Sequence, residues 1–459
     1  MTLHLPSLMA ILLMVGLASL YLAPASRTAD SFFRGRDATG APPGMLTLTF
    51  SQVTTWIFAR SLLNAGILGY FFGIAGALAY TAYYGSFLTG WLVVDRLRFH
   101  HGVDNVQSFL ARRFGRIGTV SYNVLVSLRL LSEVFANLLV VGLVFSAWGA
   151  GAENLAILAI ALLTLVYSML GGLQASLRTD VWQMVMLVAV IAVLTGFTVA
   201  APAFSASALI ASSPEAGNPG WVLLAVALLQ VLSYPLHDPV MMDRGFLADR
   251  ATTRRSFVHA FWISSALILA FGLIGVFTGL EAVGAQDFLG GLEQVLGEPA
   301  AWLVGLALVL SAISTMDSTL SSVSKLAVVD AGLGGPATPR KGRYAMALFA
   351  VLGLLLVYVG TDDLFAAVAV SGTASLFLTP VIVFSILWNR DVAPWSLAAT
   401  FAISVAGAVL YFLEDSGRIS LLETVTGLEH AYAHLLVITV TILAAGFGLF
   451  ALGVRRRGA

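Results

Sequence analysis

Cysteine is absent from this sequence, which excludes disulfides, thiol nucleophiles and Cys-ligated metal sites. Charge is scarce as well. Asp, Glu, Lys and Arg make up 10% of the 459 residues, against about 25% in soluble domains. The 24 basic and 24 acidic residues cancel to a net charge of zero, so net charge argues for no partner. Low-complexity segments are lacking. The connections between apolar runs reach only about 20 residues, too short for a soluble catalytic or regulatory domain. What is abundant is hydrophobic residues, at 59%, with a mean hydropathy of +0.92. The 44 glycines suit close helix packing in lipid. This composition excludes a cytosolic enzyme, a disordered chain and a nucleic-acid binder. It describes a polytopic protein whose solvent is the lipid bilayer.

A spanning helix needs about 20 mostly apolar residues. That ruler gives thirteen expected spans at 4–23, 46–66, 68–94, 118–148, 154–170, 180–202, 221–243, 256–280, 300–324, 344–361, 364–388, 393–413 and 431–454. The runs are continuously apolar rather than alternating, so helices are expected and a barrel is not. With the N-terminus outside, twenty-one of the 24 basic residues fall in inside connections, including Arg178, Arg244, Lys325 and Arg390. The outside connections hold Arg418 and many acids: Glu281, Asp287, Glu293, Glu298, Asp362, Asp363, Glu414 and Asp415. The positive-inside rule thus predicts an N-out, C-in arrangement. Ala23-Pro24-Ala25 looks like a leader cleavage site. However, no Lys or Arg precedes the first apolar run, and arginines follow it, so a retained helix is expected. The expected location is the inner (plasma) membrane.

Charges inside spans are costly and default to a functional reading. Arg60, Arg129, Glu133, Asp238 and Asp317 fall within spans, and Asp180 stands at a span start. Arg129 and Glu133 lie four residues apart on one helix face and can neutralise each other. Arg60 has no such local partner and needs a carboxylate from another helix or an anionic solute. Pairing of Arg60 with Asp238 is one option. Asp180 could also cap a helix N-terminus.

Along 310–322, Ser311, Ser314, Thr315, Ser318 and Ser322 share one helical stripe. Neutral hydroxyl oxygens are suited to a hard monovalent cation when a neighbouring unwound segment adds carbonyls. The alternative is ordinary hydrogen bonding between helices. Pro235 and Pro239 bracket His237 and Asp238 and predict a broken helix there.

Ser314-Thr315-Met316-Asp317-Ser318, with Lys325 and Asp330 after it, resembles the sodium-binding eighth core helix of the sodium/solute symporters. Tyr167-Ser168-Met169-Leu170-Gly171-Gly172-Leu173-Gln174-Ala175, continuing to Arg178-Thr179-Asp180-Val181-Trp182-Gln183, is similar to that family's fourth-to-fifth helix signature. Val106-Gln107-Ser108-Phe109-Leu110 and Arg113-Phe114-Gly115 resemble the loop before its third core helix. Within the family, Thr55-Trp56-Ile57-Phe58-Ala59-Arg60-Ser61-Leu62-Leu63-Asn64 and Asp238-Pro239-Val240-Met241-Met242-Asp243-Arg244 resemble the urea and polyamine branch. Arg60 stands where that branch has a small residue, and Pro239 and Asp243 are further departures, so the solute is left open.

The resemblance implies an all-α, LeuT-type fold of two inverted five-helix repeats, 46–202 and 221–388, in one transporter domain. One helix precedes them at 4–23 and two follow at 393–454. It implies interruption of the first core helix, which shows no proline. It implies Na+ held by the carbonyls of Thr54 and Ile57 and the side chains of Ser311, Ser314 and Thr315. A possible second Na+ would involve Asp180, Asp317 and Ser318, with Ser314. Solute contacts are expected from Trp56, Arg60, Ser61, Asn64, Glu133, Tyr234, His237 and Asp238. The implied function is Na+-coupled symport of a small polar organic solute by alternating access. The alternatives are H+ coupling on the same fold through Asp317, Asp180 or Glu133, and a transporter-like sensor. No metal cluster or Ser/His/Asp arrangement points to an enzyme.

Overall fold

A computed structural model describes residues 5–359 and 371–455. Asp362 and Asp363, Arg456 and Arg457, and the junction expected between 361 and 364 lie outside the described residues. Helical elements follow one another along the described residues. They begin with α1 (Leu5–Leu22), α2 (Ala29–Arg34), α3 (Met45–Trp56), α4 (Ala59–Ala82), α5 (Ser86–Asp95), α6 (Val106–Ser146) and α7 (Ala150–Gly171). Next come α8 (Leu173–Ala200), α9 (Ala206–Ile210), α10 (Pro219–Gln230), α11 (Tyr234–His237), α12 (Pro239–Gly245), α13 (Arg250–Glu281) and α14 (Phe288–Leu296). The chain closes with α15 (Glu298–Lys325), α16 (Pro339–Val359), α17 (Gly372–Leu387), α18 (Pro394–Asp415), α19 (Leu421–Thr426) and α20 (Ala431–Gly453).

Among the described residues, nine helices are long and apolar enough to cross a membrane, and shorter apolar helices occupy 12–22, 219–230 and 372–387. The chain is a multi-pass integral membrane protein. Helix falls on each of the thirteen segments marked by the apolar runs, the eleventh being described from residue 371. The ends of the helices separate charge. α13 runs from Arg250 to Glu281, and α15 runs from Glu298 to Lys325. The bundle therefore has a basic end and an acidic end.

Two glycines set the turns that position the site. Between two passes, α4 bends at Gly73, whose φ of 63° is one that L side chains rarely adopt. The bend is stitched from outside: Ser212 Oγ accepts the Ile74 amide at 2.8 Å, and Ser213 Oγ donates to the Phe72 carbonyl at 2.6 Å. Gly172, at φ 56°, separates α7 from α8 and abuts the Phe32 carbonyl, where a Cβ would meet the oxygen at 2.4 Å.

Three sequence expectations change. The stretch 106–115 is not a loop but the first turns of α6, which continues through a bend at Gly115 (φ 62°). Asn105 caps it by accepting the Ser108 amide at 2.8 Å. Asp180 is not a helix cap, because α8 already begins at Leu173 after the Gly172 turn. Arg244 is not in a solvated connection: it lies on α12 with no exposed surface. Composition places basic residues near span ends but cannot tell a solvated end from one folded back into the bundle.

Candidate functional site: a broken-helix ion and solute site

The chain breaks between α3 and α4 at Ile57 and Phe58, which have non-helical backbone angles (φ −88°, ψ 65° and φ −78°, ψ 162°). No proline causes this. The amides that would close the turn are engaged elsewhere. The Ala59 amide donates to Asn137 Oδ1 at 3.1 Å rather than to Thr55, and the Ser61 amide donates to the Phe58 carbonyl at 2.8 Å rather than to Ile57. Tyr84 OH donates to the Trp56 carbonyl at 2.9 Å. The carbonyls of Thr55 and Ile57 are thereby released from the helix ladder.

Both released carbonyls face α15. The Ser311 hydroxyl donates to the Ile57 carbonyl, and Thr315 Oγ1 donates to the Thr55 carbonyl at 3.3 Å. Ser311, Thr315, Thr55 and Ile57 are all buried. The donor set is neutral, hard and dehydrated, which fits an alkali cation. Two details differ from the sequence expectation. The carbonyl facing Thr315 is that of Thr55, not Thr54. Ser314 Oγ donates to Asp180 Oδ1 at 2.9 Å, and Thr54 Oγ1 donates to the same oxygen at 3.2 Å.

The residues expected around a second ion lie near one another and are already engaged by protein groups. Asp180 also accepts from Ser51 at 2.6 Å and Ser176 at 3.3 Å. Arg244 stands beside it. Its Nη2 lies 3.8 Å from Asp180, donates to Ser318 at 2.7 Å and to Ser176 at 3.1 Å, while Nε donates to Ser51 at 3.0 Å. A guanidinium thus already neutralises this carboxylate and takes up lone pairs of its hydroxyl neighbours. Asp317 Oδ2 accepts from Tyr167 OH and Thr179 Oγ1 at 2.8 Å each, and its Oδ1 has no hydrogen-bond partner among the described residues.

The sixth-helix break predicted from Pro235 and Pro239 lies at Asp238, between α11 and α12. Asp238 caps α12 by accepting the Met241 amide at 2.9 Å. Its cationic neighbour within 4 Å is Arg129, at 3.7 Å, and not Arg60. Arg129 also pairs with Glu133, which accepts from Thr319 Oγ1 at 3.0 Å.

Beside the first break lies a cavity of about 170 Å³, lined by Trp56, Phe58, Arg60, Ser61, Asn64, Tyr80, Tyr83, Tyr84, Arg129, Ser132, Ala136, Tyr234 and Gly372. It shares Arg60, Asn64, Tyr80, Tyr83, Tyr234 and Gly372 with a vestibule of about 570 Å³ that reaches Asp415 and His430 at the acidic end. Trp56 packs edge-on against Tyr234 and Tyr84, with ring centroids 5.5 and 5.7 Å apart. Trp56, Arg60, Ser61, Asn64 and Tyr234 are thus brought together on one cavity wall. Glu133, His237 and Asp238 stand behind the wall. His237 is buried against Tyr234 at 5.4 Å. Tyr80, Tyr83 and Tyr84 were missed by sequence reasoning. The only available signal was their aromatic crowding at 80–84.

At the basic end a second network ties three elements. Lys325 Nζ lies 2.8 Å from Asp243 and 2.9 Å from Asp330, Asn105 Nδ2 donates to Asp330 at 2.9 Å, and Ser322 Oγ donates to Asp243 at 2.6 Å.

No family model matches the chain, and no curated protein does. Solved structures do. A Na+-coupled sialic acid symporter, captured substrate-bound and outward-open, superposes with a TM-score of 0.73 over 98% of both chains at 16% identity. Mhp1, a nucleobase-cation-symport-1 family transporter in a closed conformation with bromovinylhydantoin bound, gives 0.56 over 94% of this chain and 96% of its own, at 14% identity. A manganese transporter of Eremococcus coleocola gives 0.54 over 89% and 94%, at 16% identity. The chain has the all-helical LeuT-type fold of these transporters.

Proposed function

We propose that this protein is a Na+-coupled symporter that moves a small polar organic solute into the cell by alternating access, as a single transporter domain of the sodium/solute symporter kind. The observation that carries this reading is the meeting of two released carbonyls, Thr55 and Ile57, with the Ser311 and Thr315 hydroxyls. Trp56, between those two carbonyl residues, lines the solute cavity. One residue step separates the cation ligands from the solute wall, so ordering one segment orders both. Such coupling is reciprocal and typically worth about 1–3 kcal/mol.

The helices carry the extra functional detail. The expected N-out arrangement turns the acidic end and its vestibule outward and the Lys325 network inward. Solute enters past Asp415 and His430 and reaches Trp56 and Tyr234. Na+ bound between α3 and α15 holds the break at Ile57 in its binding shape. The two five-helix repeats, 46–202 and 221–388, then rock about the site, and the Asp243, Lys325 and Asp330 contacts open. The reading includes one Na+ at Ser311 and Thr315. A second at Asp180 is not part of it, because Arg244 already serves that carboxylate. The resemblance to the urea and polyamine branch rests on the Thr55–Asn64 and Asp238–Arg244 segments and does not extend to the solute, because Arg60 lines the cavity.

The test is uptake into proteoliposomes under an imposed Na+ gradient. Thr315→Ala should abolish Na+-driven uptake. Uptake that follows a pH gradient without Na+ would replace this reading with H+ coupling.

A further inference from the structure

We infer that Arg244 is a tethered cation standing where a second coupling ion would bind, and that it sets the number of Na+ ions held by this protein at one. The inference deepens the functional reading above and rests on the Ser311 and Thr315 site being the Na+ site. It concerns a different cluster, built around Asp180. A buried carboxylate within a membrane span is paired with a cation, which can come from solution or from the chain itself. Here the chain supplies it. The side chains of Arg244 and Asp180 have no exposed surface, and Arg244 Nη2 lies 3.8 Å from Asp180 Oδ2. Three buried hydroxyls from three helices join the two groups: Ser51 on α3, Ser176 on α8 and Ser318 on α15.

The lone pairs of this cluster can be counted. A hydroxyl has two lone pairs and one hydrogen. Ser176 Oγ gives its hydrogen to Asp180 Oδ2, so in the 2.8 Å contact between Ser176 and Ser318 the donor is Ser318. Ser176 Oγ thus accepts from Ser318 and from Arg244. Ser318 Oγ accepts from Arg244 and from Thr55 Oγ1, the latter at 3.0 Å. Neither hydroxyl keeps a lone pair for a metal ion. Asp180 Oδ1 accepts from Ser314 and Thr54, and Oδ2 accepts from Ser51 and Ser176. A Na+ ion therefore does not fit here while the guanidinium is in place. Without it, the same carboxylate and hydroxyls would form a hard oxygen set of the kind that suits an alkali cation.

The tether matters for coupling. A guanidinium keeps its charge at physiological pH and cannot leave with the solute, so it balances Asp180 without drawing on the Na+ gradient. It is also wired to the Na+ site. Thr55, whose hydroxyl bonds Ser318, is the residue whose carbonyl faces Thr315. Through Ser318 and Ser51, Arg244 on α12 braces the end of α3 beside the break at Ile57. A dissociable ion at Asp180 would brace the same segment only when bound. Asp317, next to Ser318 in sequence, is held separately by Tyr167 and Thr179.

The experiment counts the radioactive Na+ bound at saturation by the purified protein and its variants, with choline as the replacement cation. The wild type should bind one ion. Arg244→Ala should bind one more than the wild type. Its melting temperature should also rise further than that of the wild type when NaCl replaces choline chloride, since an ion that binds only the folded state stabilises it. Arg244→Lys, which keeps the charge, should hold the wild-type count. So should Arg244→Ala combined with Asp180→Asn, which removes the carboxylate that the ion would serve. A residue that merely packed the interior would leave every count unchanged. The inference is overturned by two ions on the wild type, by no gain in folded Arg244→Ala, or by a gained ion that persists in the double variant and so belongs to Asp317. If Arg244→Ala does not fold, the wild-type count and the Arg244→Lys count decide. A wild type that binds no Na+ sinks sodium coupling, while the gain of one ion in Arg244→Ala would still establish the role of Arg244.

Discussion

The Ala59 amide donates to the side-chain carbonyl of Asn137, 3.1 Å away, where an uninterrupted helix would have it donate to Thr55. One carboxamide from α6 thus holds the α3–α4 break open and frees the Thr55 carbonyl, which faces Thr315. Asn137 also donates to the Glu133 carbonyl at 2.8 Å, which fixes its orientation. Asn137→Ala leaves a buried N–H without a partner, at a cost of about 1–3 kcal/mol. We expect a lower melting temperature and a Na+ requirement raised about tenfold. A Na+ titration of thermal stability checks this, and an unchanged Na+ midpoint would show that the break does not depend on Asn137.

Ser311 is the hydroxyl that faces the Ile57 carbonyl. Ser311→Ala keeps the helix and removes one neutral oxygen from the set. Apparent Na+ affinity should fall while solute affinity at saturating Na+ is retained. The check is uptake measured against Na+ concentration at fixed solute; an unshifted Na+ dependence contradicts the assignment.

Arg129 and Glu133 are a buried pair, with side-chain exposures of 8% and 2%. Removing one partner of such a pair costs about 3–5 kcal/mol, whereas replacing both with apolar groups is often nearly neutral. Because Arg129 also faces Asp238 at 3.7 Å, Arg129→Met alone leaves two buried carboxylates without their cation and should destabilise more than the Arg129→Met, Glu133→Leu double variant, which leaves one. Thermal unfolding of the four proteins in the cycle measures the difference, and additive losses would refute the pairing.

Arg244 lies buried beside Asp180 and bonds hydroxyls of α3, α8 and α15. Arg244→Ala leaves the carboxylate uncompensated and should cost about 3–5 kcal/mol. Arg244→Ala combined with Asp180→Asn should recover part of that loss. Unfolding temperatures decide the matter: no recovery in the double variant means that Asp180 is not what Arg244 serves.

Lys325 links Asp243 on α12 to Asp330 at the basic end. Lys325→Ala should loosen that end and favour the conformation open to it. Because the chain has no cysteine, a single Asn64→Cys substitution reports access to the vestibule. Its labelling by a membrane-impermeant maleimide should slow in the Lys325→Ala background. Equal rates would show that this network does not hold the basic end shut.

Much of the architecture could be read from residue order. The continuous apolar runs specify helices because lipid offers the backbone no other hydrogen-bond partner. The break at Asp238 follows from Pro235 and Pro239, which are disfavoured in a helix interior and here stand in the first turns of α11 and α12. The hydroxyl stripe from Ser311 to Ser322 follows from helical spacing alone. Other features exist only in the fold. No local signal marks Ile57 and Phe58, because that break depends on Asn137 in α6 and Tyr84 beyond α4. Arg244 looks like an ordinary basic residue after a span, and only the return of α12 against α3, α8 and α15 buries it. The partner of Asp238 is Arg129 rather than Arg60 because the packing of α6 against α11 and α12 sets that distance. Local chemistry decides where a chain can span or break, whereas long-range contacts decide which buried charges and carbonyls meet.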